Sequence, residues 1–77
     1  MKAKYRRYGN DCIIYEQVVC VDNLFITIRS YWGSWVNIEP EPKIKVCLTN
    51  AEARRMFYNT CVKLEKENYE CEYKEVV

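Results

Sequence analysis

Cys12-Ile13-Ile14-Tyr15-Glu16-Gln17-Val18-Val19-Cys20-Val21 runs through Asp22-Asn23 into Leu24-Phe25-Ile26-Thr27-Ile28-Arg29-Ser30-Tyr31, and this stretch decides the fold. Both arms are rich in β-branched and aromatic residues, which favour strand over helix. Asp22-Asn23 is a two-residue break of a kind that tolerates positive φ, so it predicts a type I′ hairpin. Under that register Val21 pairs with Leu24, Val19 with Ile26 and Gln17 with Ile28. On the opposite side Cys20 faces Phe25, Val18 faces Thr27 and Glu16 faces Arg29. An opposite-charge pair directly across the ladder supports this alignment.

The alternation leaves both faces of the hairpin apolar. Ile13, Tyr15, Val19, Val21, Leu24, Ile26 and Ile28 point one way; Cys12, Ile14, Val18, Cys20, Phe25 and Tyr31 point the other. One helix can bury only one of them. The reading puts the helix on the Leu24-Ile26-Ile28 side. It leaves Ile14, Val18, Phe25, Tyr31 and Trp35, with Cys20 beside them, as an exposed surface. Monomers seldom leave more than about 300–600 Å² of contiguous apolar surface bare unless it is functional.

Further along, Tyr31-Trp32-Gly33-Ser34-Trp35 predicts a three-residue loop, Trp32-Gly33-Ser34, with Gly33 in the left-handed region. A short strand at 35–39 then adds Val36 and Ile38 to the core side. Glu39-Pro40-Glu41-Pro42 breaks the ladder, since proline supplies no donor. From Lys43 to Leu48 the pattern alternates. Ile44, Val46 and Leu48 are expected inward, with Lys43, Lys45 and Cys47 outward on an edge strand. Thr49-Asn50-Ala51-Glu52 reads as a capping box, with Leu48 and Ala53 as the staple. The helix is expected to reach Glu67, burying Ala53, Met56, Phe57, Thr60, Cys61 and Leu64, with Asn68 as its stop. Tyr69 to Val77 alternates again and predicts a last strand. The expected fold is α+β, an antiparallel sheet of four to five strands (β-β-β-β-α-β) with one helix on one face.

Seventy-seven residues make one small domain. Residues 1–10 carry Lys2, Lys4, Arg6 and Arg7 interleaved with Tyr5 and Tyr8, and read as a flexible basic arm. The acidic run Glu65, Glu67, Glu70, Glu72 and Glu75 sits at the other end, and the two ends would attract each other in an antiparallel arrangement. Apolar runs of about five residues fall far short of the roughly 20 that span a bilayer. No apolar h-region follows the basic start, so the chain is read as cytoplasmic. Its five cysteines are widely spaced, without a Cys-x-x-Cys pair or any histidine. They read as free thiols, with no metal and no cofactor implied.

Chemistry is thin as well. There is no histidine to act as a base near neutral pH, and Gly9 and Gly33 are isolated rather than set in a phosphate loop. Cys47, sharing a strand face with Lys43 and Lys45, is the best-placed nucleophile, yet it lacks a base. The reading is therefore non-enzymatic: a small protein-binding module, an inhibitor or adaptor. Its contact residues would be Ile14, Val18, Phe25, Arg29, Tyr31, Trp32 and Trp35, with Glu65, Glu67, Glu70 and Glu72 for orientation. A homodimer is a further expectation. Small size and absent chemistry match the profile of phage-type anti-defence proteins, including anti-CRISPR inhibitors. The alternative is nucleic-acid binding through Lys2, Lys4, Arg6, Arg7, Arg54, Arg55 and the Tyr31–Trp35 aromatic tip.

A strand, Trp32-Gly33, another strand and a helix opened by Asn50-Ala51-Glu52-Ala53 resemble the WGR domain of DNA-repair proteins over residues 24–67. Ser34 stands where that family carries arginine. The resemblance implies contact with DNA ends.

Overall fold

The computed structural model describes residues 1–33 and 40–76. The strand expected at 35–39, and Trp35, Val36 and Ile38 with it, lie outside the described residues. Among the described residues five strands and one helix follow in order: β1 (Lys2–Tyr8), β2 (Ile13–Val21), β3 (Leu24–Trp32), β4 (Glu41–Val46), α1 (Asn50–Lys66) and β5 (Glu70–Glu75). They form an antiparallel sheet in the order β4-β3-β2-β1-β5, an α+β fold.

The central hairpin has the expected register. Val21 pairs with Leu24, Val19 with Ile26, Gln17 with Ile28, Cys20 with Phe25, Val18 with Thr27 and Glu16 with Arg29. Of the two loop residues, Asp22 adopts the positive φ, 53°. Asn23 fastens the next strand to this turn: its carbonyl accepts from the Cys47 backbone N–H at 2.8 Å, and its Nδ2 donates to the Cys47 carbonyl at 3.0 Å.

The helix covers the other face from the one expected. Ala3, Tyr5, Val18, Cys20 and Phe25 of the sheet are buried against Ala53, Phe57, Cys61 and Leu64 of α1. The reason lies in the path of the chain. β4 and β5 run parallel at opposite edges, because each is an odd number of antiparallel steps from β1. The β4-α1-β5 connection is thus a crossover between parallel strands, and such crossovers are right-handed in nearly all folds. Handedness picks the side for α1 whatever the composition of the two faces. The picked side suits close packing: Ala3, Cys20, Ala53 and Cys61 are small and let the helix approach around Phe57.

Several local expectations are corrected. The first ten residues are not a free arm; Lys2–Tyr8 is an interior strand between β2 and β5, with Ala3 and Tyr5 fully buried. Trp32 belongs to β3, opposite Ile13, rather than to a loop. Gly33 has no positive φ. Its lack of a side chain serves a close approach instead, since a Cβ there would lie 2.6 Å from the Asp11 carbonyl oxygen. β4 ends at Val46, leaving Cys47 buried and Leu48 94% exposed, so Leu48 makes no staple.

Apart from the missing staple, the caps at the two helix ends behave as read. The Thr49 Oγ1 accepts from the Glu52 N–H at 3.1 Å, and the Glu52 carboxylate accepts from the Leu48 N–H at 3.2 Å. Asn68 stops the helix at φ 67°, while the Tyr69 N–H donates to the Leu64 carbonyl at 3.0 Å.

Candidate functional site

Two regions compete for a functional role: the uncovered face of the sheet and a cavity beside the helix.

The uncovered face is set by pleat parity. β2 contributes Ile13, Tyr15, Gln17, Val19 and Val21, and β3 contributes Leu24, Ile26, Ile28, Ser30 and Trp32, paired across the ladder. β4 adds Pro42 opposite Ile28, Ile44 opposite Ile26 and Val46 opposite Leu24. None of these thirteen side chains carries a charge. The inner members are half-buried by their neighbours, while Ile44 and Val46 on the edge strand are 63% and 69% exposed. Among the described residues, no element packs over this face.

β1 and β5 give the same face a charged margin. Lys2 pairs with Glu75 at 3.7 Å and Lys4 with Glu72 at 3.8 Å, while Arg6 meets both Glu70 and Glu72 at 3.4 Å. A bulge between Lys4 and Tyr5 leaves Glu72 as the extra residue of β5, which lets its carboxylate serve two cations. Lys4 also sits 4.7 Å from the centre of the Tyr15 ring, joining the margin to the apolar part. The opposite charges of the two chain ends are consumed here against each other.

The cavity lies on the helix side, about 330 Å³ in volume, bounded by Glu16, Arg29, Tyr31, Lys43, Lys63 and Glu67 among others. Arg29 donates its Nε–H to Glu16, whose side chain is nearly buried. That hydrogen bond first, then the neighbouring Tyr31, raises the pKa of the Arg29 guanidinium above its ordinary range. Arg29, Lys43 and Lys63 face Glu16, Glu41 and Glu67, so the cavity is balanced in charge. Among the described residues every buried side-chain nitrogen or oxygen has a partner. The arrangement is that of a satisfied ion-pair network.

The expected contact residues scatter over this architecture. Val18 is fully buried and Phe25 is 8% exposed, both under α1, and Ile14 packs against the same core. Their exposure is corrected by the inverted placement of the helix. Arg29 and Tyr31 line the cavity, whereas Trp32 points to the open face and is largely exposed. Tyr31 and Trp32 therefore face opposite ways, and they form no joint stacking tip. Trp35 lies outside the described residues. Glu65 accepts from the Tyr5 hydroxyl at 3.0 Å and pairs with Lys74 at 3.8 Å; Glu67 borders the cavity.

The basic set is divided as well. Lys2, Lys4 and Arg6 are paired with glutamates on the open face, and Arg7 donates to the Glu67 carbonyl and lies over the Tyr69 ring. Arg54 and Arg55 are exposed on α1, across the sheet from Lys2, Lys4 and Arg6. No shared phosphate track results.

Sequence reasoning listed the aliphatic residues of the open face but assigned them to the core. The parity was readable; the side chosen by the crossover was not.

The cysteines are free, with Cys20, Cys47 and Cys61 buried, Cys12 half-buried and Cys71 exposed. Among the described residues no cluster of three or more possible metal ligands occurs, and no helix is long and apolar enough to cross a membrane. Comparison with protein families, with curated proteins and with solved structures found no match.

Proposed function

We propose that this chain is a non-enzymatic protein-binding module whose contact surface is the open face of β2, β3 and β4. The observation that carries this reading is the uncharged patch around Val19, Leu24, Ile26, Ile28, Ile44 and Val46. Apolar surface of this extent outside the core is a cost in water unless something covers it. Trp32 and Tyr15 supply aromatic area within the same face, of the kind that anchors interfaces. The paired charges of β1 and β5 form a polar rim along one side, as a specific interface requires. Five unbridged thiols suit a reducing compartment, and we assign the chain to the cytoplasm on that ground.

The reading is tested by capture with two baits, the natural chain and an Ile26→Glu/Ile44→Glu variant whose folding is verified by circular dichroism. Species held by the natural chain, further copies of itself included, should be lost from the variant. Equal retention by both baits would remove the open face from consideration.

A further inference from the structure

We infer that the partner of the open face is a second copy of this chain, giving a face-to-face sandwich of two sheets about a two-fold axis. This rests on the reading of that face as a binding surface and names its occupant. Three observations favour a copy over a foreign protein.

The first is composition. The centre of the face is built of Val19, Leu24, Ile26, Ile28, Ile44 and Val46, with Trp32 and Tyr15 towards its margins. Interfaces that form and dissolve between different proteins draw their energy from tryptophan, tyrosine and arginine, with leucine and valine under-represented. Interfaces between permanently paired copies resemble a domain core cut in half. An aliphatic, β-branched sheet face is also what packs against another sheet at a spacing of about 10 Å.

The second is charge. A two-fold axis sets each residue against the same surface on the other copy, so any unpaired charge at the centre would meet its like. The β2, β3 and β4 side chains of this face include none. The charges nearest to it, Lys2, Lys4 and Arg6, are each paired with a glutamate of β5. With β3 at the middle of the apolar strands, an axis along β3 lays β2 of one copy over β4 of the other. The ion-paired strands β1 and β5 then fall outside the contact as a wet rim. The net charge of +1 per chain adds little repulsion.

The third is size. The three apolar strands, about 4.8 Å apart and up to 30 Å long, give a contact on the order of 400 Å² in plan, and side-chain relief raises its accessible area. A standard interface takes about 800 Å² from each partner, so the pair falls at the small end of specific interfaces.

Sedimentation velocity on the purified chain, from about 1 to 100 µM under reducing conditions that prevent Cys71 from cross-linking, tests this. The expected species has twice the 9.3 kDa chain mass. Ile26→Glu/Ile44→Glu, folded by circular dichroism, should shift dissociation to at least ~100-fold higher concentration. If that double variant fails to fold, the single edge substitution Ile44→Lys gives the same readout with less disturbance of the sheet. A natural chain that stays monomeric at 100 µM overturns the second copy. Retention of a foreign protein by the natural bait alone would then leave the binding face standing with another occupant. A dimer unaffected by the face substitutions, held through the β4 or β5 edge, overturns the inference equally.

Discussion

Phe25 and Ile26 are neighbours on β3 with opposite fates. Phe25 points under α1 into a core closed by Val18, Phe57 and Cys61, whereas Ile26 lies between Val19 and Ile44 on the open side. Both sides are apolar, yet only one is covered by the described chain. The covered side stabilises the monomer; the open side, still half in water, contributes less to it. Hydrophobicity alone therefore does not separate the core side from the open side in a small sheet protein. The route of the connecting helix does.

The largest effect expected from this contrast comes from substituting the two neighbours. Phe25→Ala removes a buried ring and should cost about 3–5 kcal/mol. A domain of this size has a total stability of only about 4–12 kcal/mol. Ile26→Ser, measured below the dissociation concentration of any dimer, should cost the monomer about 1 kcal/mol or less. Urea titration of both variants reads the difference. Equal losses would mean that the open face is packed within the monomer.

Much of this contrast was legible in the hairpin sequence. Asp22-Asn23 and the Glu16/Arg29 cross-strand pair set the register, and Thr49, Glu52 and Asn68 set the helix ends, because those signals are local. The side covered by α1 was not legible. It depends on β1 lying between β2 and β5, and β1 was obscured by its own composition: Lys2, Lys4, Arg6 and Arg7 alternate with Ala3 and Tyr5, so a half-buried interior strand looks like a solvated tail. The complementary signal was present in Glu70, Glu72 and Glu75, whose charges matched those of the N-terminal stretch. Once those two strands pair, β5 lies at the far edge from β4 and the crossover follows.

A smaller effect is expected from the ion pair at the edge of the covered side. Glu16 is nearly buried while Arg29 is about half exposed, so the pair is only partly shielded from solvent. Arg29→Ala would leave the Glu16 carboxylate short of its partner in a polar cavity that water can enter. About 1–3 kcal/mol should be lost, at the lower end if water replaces the guanidinium. Replacing both residues, Glu16→Gln with Arg29→Gln, should recover part of that loss. A double variant as unstable as the sum of the two singles would show that the pair does not act as a unit.

The smallest effect on the covered side lies at Tyr5, and it carries a pH signature. The Tyr5 hydroxyl donates to Glu65 beneath the helix. Burial first, then the neighbouring Cys61 and Glu65, pushes its pKa far above the ordinary phenol range; burial likewise raises the Cys61 thiol. In the unfolded chain both groups release their protons in their usual ranges, near 8.5 for the thiol and 10 for the phenol. The folded chain still holds them there, so it binds more protons than the unfolded chain as pH rises. Stability is therefore fully present below those ranges and falls above them, by up to about 1.4 kcal/mol per pH unit for each group. Tyr5→Phe should cost about 1 kcal/mol at neutral pH through the lost hydrogen bond. It should also flatten the decline above pH 10, which thermal melts from pH 7 to 11 would record. Parallel declines in the natural chain and the variant would mean that the phenol ionises as readily in the fold as outside it, and that the helix-covered side is wetter at β1 than the burial of Tyr5 indicates.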